Sequence, residues 1–116
     1  MKKLLLLAAS LVFSAGAWAD CFDPKTTIEV QKCLNLEVGQ LKHELNNVLK
    51  AASESTNAQK ELKAAQTKWL AYKESQCGDF VVADSQGSPA TIVVDLACQA
   101  DLYKERIGFL KNYFNQ

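Results

Sequence analysis

Four cysteines, Cys21, Cys33, Cys77 and Cys98, carry the covalent chemistry that is easiest to read in this chain. None belongs to a Cys-x-x-Cys pair, and His43 is the single histidine. Zinc, haem attachment and thioredoxin-like exchange therefore all lack their ligand spacing. An even cysteine count in a short exported chain reads instead as two disulfides. Three pairings are possible. Cys21–Cys33 and Cys77–Cys98 each close a short local loop, and this is the pairing expected. In the chain-entropy model each bond is worth about 3 kcal/mol, which matters in a domain whose core alone is marginal. Oxidised cysteines are not nucleophiles, no serine has a histidine and acid constellation, and the acidic pairs fall in no cleft motif. The chain reads as a non-enzyme that calls for no catalytic residue, no cofactor and no metal.

The compartment follows from the first nineteen residues. Lys2 and Lys3, the apolar run Leu4 to Phe13 and the small-x-small site Ala17-Trp18-Ala19 form an export signal. The run is too short to span a bilayer. Asp20 stands between the cleavage point and Cys21, which argues against a lipid anchor and for a soluble periplasmic or secreted product. Cleavage leaves 97 of the 116 residues, one domain over 20–116. Removing Lys2 and Lys3 leaves 11 basic against 13 acidic residues, a net charge of −2. That balance gives no reason to expect nucleic acid or an anionic membrane surface as partner.

The cysteines need helices to position them. Thr26 and Glu29 have capping-box spacing, and Pro24 keeps the first helix from starting earlier. Leu34, Val38, Leu41, Leu45, Val48 and Ala52 then form a heptad seam. Gly39 inside it costs about 1 kcal/mol against alanine. Ser53 to Asn57 is a polar turn, and a second helix is expected from about Ala58 to about Ala83. Its apolar stripe reads Ala58, Leu62, Ala65, Trp69, Tyr72, Gln76 and Ala83, with Phe80 beside it, which would make this helix the element around which the others pack. Phe80–Val82 and Ile92–Val94 could form a β-hairpin, but neither run alternates polar and apolar residues. Ser88-Pro89 has the chemistry of a helix start, so a third helix is expected from Pro89 to about Phe114. Its core stripe would be Ile92, Leu96, Tyr103, Ile107, Leu110 and Phe114. Short turns make neighbouring helices antiparallel. The fold expected is an all-α, small antiparallel three-helix bundle stapled by two disulfides.

Several residues together give the chain a family likeness. Cys33-Leu34, Leu45-Asn46, Gln66-x-x-Trp69-x-x-Tyr72-x-x-x-x-Cys77, Gly87-Ser88, and Cys98 with Arg106 eight residues on resemble the LprI-like lysozyme-inhibitor domains of bacterial envelopes. The likeness covers nearly the whole of residues 20–116. Lys73, Tyr103 and Leu49 depart from it, standing where the family usually has arginine, threonine and tyrosine. The resemblance implies a protein partner, a lysozyme. Asp84, Gln86, Gly87 and Ser88, in a polar turn between two helices joined by a disulfide, are the candidate partner-binding residues. An alternative is a structural or stress-related envelope module whose helical faces bind another envelope protein. Each residue also has a purely structural role available. Trp69 and Tyr72 read as core, and Asn46, Gln66 and Arg106 as a polar set that fixes helix register at the core edge. His43 reads as solvated, and Gly87-Ser88 as turn and cap.

Overall fold

The computed structural model of the chain describes residues 20–23 and 26–114. The expected export signal and Pro24 lie outside the described residues. A 3-10 turn, Asp20–Phe22, precedes helix α1, Thr27–Ser55. Helix α2 opens as an α-helix over Gln59–Lys73, widens to a π-helix over Glu74–Val81 and ends in an α turn, Val82–Asp84. Helix α3 is Thr91–Phe114. No strand occurs among the described residues.

Thr26 caps α1 as its spacing requires, its hydroxyl accepting from Glu29 N at 3.2 Å. The α1–α2 connection is tied by side chains: Ala58 N donates to Thr56 Oγ1 at 3.0 Å, and Gln59 Nε2 to Ser53 O at 2.8 Å. Up-down-up connectivity makes α1 and α3 parallel to each other. Two ion pairs record it, Lys104–Glu37 at 3.7 Å and Lys111–Glu44 at 2.7 Å, each joining residues 67 apart.

Between these two helices lies the main core. Leu41, Leu45 and Val48 of α1 meet Ala100, Tyr103, Ile107 and Leu110 of α3. A second, smaller cluster of Cys21, Val30, Leu34 and Val93 sits near the helix starts. Both disulfides form as paired above, Cys21–Cys33 and Cys77–Cys98, and both lie toward that same end.

Three expectations are corrected. The largest concerns α2, which is not the organising element: within the whole rod only Cys77 is buried. Ala58, Ala65, Tyr72 and Ala83 are exposed, Tyr72 at 52%. Leu62, Trp69 and Gln76 of the expected stripe do turn inward, but they are joined by Gln66, Lys73 and Cys77 rather than by Ala65, Tyr72 and Ala83. Hydrophobicity favours the Ala65–Tyr72 stripe. The Cys77–Cys98 bond and polar partners on α3 hold the other one. The π-helical stretch then shifts the register beyond Lys73, because each residue turns through less than the α-helical angle. The second correction is Ile92, which is 54% exposed while Val93 is buried. The stripe of α3 therefore begins at Val93 and runs through Leu96, Ala100, Tyr103, Ile107, Leu110 and Phe114, a 3-4 repeat. The third is the start of α3 at Thr91 rather than Pro89. Ser88 still acts as a cap, but through a turn: its Oγ accepts from Ala90 N at 3.1 Å and its carbonyl from Thr91 N at 3.2 Å.

Candidate functional site

The connection between α2 and α3 is an ordered, solvent-facing tip. As α2 ends, Ser85 N and Ser85 Oγ both donate to Val81 O, at 3.1 and 2.8 Å. The chain reverses at Gly87, whose φ of +90° is the left-handed region where a residue without Cβ is unstrained. Ser88 N then donates to Ser85 O at 3.0 Å. Thr91 Oγ1 lies 2.9 Å from the carbonyls of both Ser85 and Ser88 and holds the two sides of the turn together. Seven residues back from Asp84 along α2, the buried Cys77 is bonded to Cys98 with a Cα–Cα distance of 5.6 Å. The turn is therefore fixed by hydrogen bonds at its neck and by a covalent bond beneath.

All four residues singled out from the sequence project from it: Asp84, Gln86, Gly87 and Ser88 are exposed. The structure brings them together on one surface. The Gln86 side chain makes no hydrogen bond within the described residues, and the Ser88 hydroxyl keeps its proton for an outward bond because its oxygen is the acceptor from Ala90. What the tip offers is an amide, a hydroxyl and one carboxylate on a rigid support. It holds no nucleophile with a base beside it.

Sequence reasoning missed the tip's surroundings. Helices α1 and α3 both begin at this end, and Phe22, Ile28 and Ile92 in or beside their first turns are all more than half exposed. A shallow notch of about 190 Å³ lies between the helix starts, walled by Phe22, Thr27, Val30, Ala90 and Val93. The signal that could have found it is topological. Three helices joined by short turns place the first and third helix starts together, and the Cys21–Cys33 bond brings Phe22 back to them.

Gln66, Trp69 and Arg106 of the likeness serve the seam between α2 and α3. Arg106 Nε donates to Gln66 Oε1 at 3.0 Å. Partial burial lowers the Arg106 pKa below its ordinary value by desolvating the guanidinium. Trp69 and Tyr103 meet at a 5.4 Å centroid distance, and Lys73 lies 5.1 Å over the Tyr103 ring while donating to its hydroxyl at 3.4 Å. Asn46 is exposed on α1, away from this seam, and the exposed His43 ring pairs only with Asn47, at 3.4 Å.

A sequence model described as lysozyme inhibitor LprI matches residues 19–110. The chain belongs to the LprI lysozyme-inhibitor family. No curated protein and no solved structure matches it. The stretch matched to LprI contains both disulfides, the seam and the tip. Within the matched stretch, Lys73 of α2 and Tyr103 of α3 touch each other. A cation on one helix meets a ring face on the other. Family membership makes the implied partner a protein, and two disulfides fit an oxidising compartment outside the cytoplasm. Among the described residues, no helix is long and apolar enough to cross a membrane.

Proposed function

We propose that this LprI domain inhibits a lysozyme by inserting the turn Asp84–Ser88 into the enzyme's substrate cleft. One observation carries the reading: the turn is exposed and already ordered, by the Ser85 and Thr91 bonds at its neck and the Cys77–Cys98 bond below. Little ordering entropy is then lost on binding. A glycosidase cleft holds a pair of carboxyl groups, which a blocker meets with donors. The Gln86 amide and the Ser88 hydroxyl supply them. Asp84 is repelled by such a pair and drawn to a cationic rim, and the net charge of −2 over residues 20–116 steers a basic lysozyme modestly at low salt. A five-residue turn covers much less than the roughly 800 Å² per partner of a stable interface. The notch beside Phe22 and the exposed Ile28 and Ile92 extend the contact.

The test is residual lysozyme activity on cell walls in the presence of the purified protein. Gln86→Ala combined with Gly87→Asp, with helix content checked by circular dichroism, is expected to weaken inhibition at least tenfold. Unchanged inhibition by that folded variant would move the site elsewhere. No inhibition by the wild type across animal and phage-type lysozymes would leave an envelope module that binds another protein through its helical faces.

A further inference from the structure

At the opposite end of α2, roughly 35 Å from the tip at 1.5 Å per residue, the molecule has a second concave feature. Here α1 and α2 diverge from their turn and leave an open groove of about 580 Å³, within the range of roughly 300–1,000 Å³ typical of small-molecule sites. Its floor is apolar. Leu49 of α1 and Leu62 of α2 are both half-buried and packed against the main core, so neither is free to move away. The closed end is the Gln59–Ser53 bond that ties the first turn of α2 to the last turn of α1.

The polar groups around this floor are of one kind. Lys60 and Lys63 stand three residues apart, on one side of α2, and no aspartate or glutamate lines the groove. Neither ammonium joins an ion pair among the described residues. The Gln66 carbonyl oxygen is occupied by Arg106 Nε, which leaves the amide nitrogen as a donor. Two like charges at this spacing repel by a few tenths of a kcal/mol, and an anion placed between them relieves that repulsion. The groove runs along α2 from Gln59 to Thr67, about 12 Å at the helical rise. That length suits one extended acyl chain, whereas a partner helix laid along it would rest there on only about two turns.

We propose that this groove binds a single-chain amphiphilic carboxylate, with its head between Lys60 and Lys63 and its chain along Leu49 and Leu62. The assignment is independent of the tip, shares no residue with it, and stands or falls separately from lysozyme inhibition.

Dodecanoate below its micellar concentration is the probe, titrated calorimetrically into the protein beginning at Asp20. Trp69, the only tryptophan in residues 20–116, packs on the same core as Leu62 and gives a second readout by fluorescence. Saturable binding of dodecanoate is expected, at least tenfold tighter than that of dodecyltrimethylammonium or of acetate. Lys60→Glu with Lys63→Glu should weaken it at least tenfold, and Lys68→Glu, an exposed lysine outside the groove, should leave it within twofold. Absence of saturable dodecanoate binding would overturn the proposal. So would equal binding of the cationic amphiphile, equal binding of acetate, or equal loss in the Lys68→Glu protein.

Discussion

The α1–α3 pair and α2 are held in place by different physics. Each member of the pair carries a seam at alternating three- and four-residue steps, Leu34 to Ala52 on one and Val93 to Phe114 on the other. Parallel helices with such seams interdigitate side chains along their length. The Glu37–Lys104 and Glu44–Lys111 pairs flank that packing and keep it in register. Helix α2 has no buried aliphatic or aromatic side chain. It is fastened by the Cys77–Cys98 bond, the half-buried Trp69 against Tyr103, and the polar Gln66–Arg106 and Lys73–Tyr103 contacts. The lesson is that apolar content does not rank helices by burial. Leu70, Tyr72 and Phe80 give α2 large hydrophobics, yet all three are 46% exposed or more.

Five variants can break or sharpen this contrast. Leu110→Ala removes a side chain that is 1% exposed in the α1–α3 core and is expected to cost about 3–4 kcal/mol, read as a lower denaturant midpoint. A cost under about 1 kcal/mol would mean that the pair is not the core. Next comes the Cys77→Ala/Cys98→Ala double variant. For the sequence separations of 21 and 12 residues, chain entropy assigns about 3.3 kcal/mol to Cys77–Cys98 and about 2.8 to Cys21–Cys33. Of the two disulfides it is the one that ties α2 to the pair, so its removal should release α2 amides to hydrogen exchange before those of α1 and α3. If the Cys21→Ala/Cys33→Ala protein is the less stable, the hierarchy is reversed.

Smaller effects separate the two faces of α2. Trp69→Ala is expected to cost about 2 kcal/mol, from partial burial and the contact with Tyr103. Tyr72→Ala, on the solvent side, should stay within about 0.5 kcal/mol. Equal costs for these two aromatics would show that the assignment of faces is wrong.

Much of the fold was legible because several local signals agreed. The Thr26–Glu29 spacing starts α1, the heptad seam defines its buried side, and the short cysteine spacings give the pairing that forms. The tip was legible for the same reason: Ser88, Pro89 and Gly87 are residues whose backbone preferences stop and restart helices. The faces of α2 and the notch beside Phe22 were not. Two faces meet at Trp69 on α2, one through Ala65 and Tyr72 and the other through Gln66 and Lys73. Local hydrophobicity selects the first.

By itself, then, the sequence determined the helices, their order, their covalent ties and the position of the turn. These depend on interactions among residues near one another in the chain. The tertiary structure alone decided which side of α2 turns inward, that Val93 rather than Ile92 enters the core, and that the first and third helix starts share an end with the tip. Those outcomes rest on contacts between residues as far apart as Gln66 and Arg106. A polar side chain can take an inward position when a distant partner satisfies it, and nothing in its own neighbourhood announces that partner.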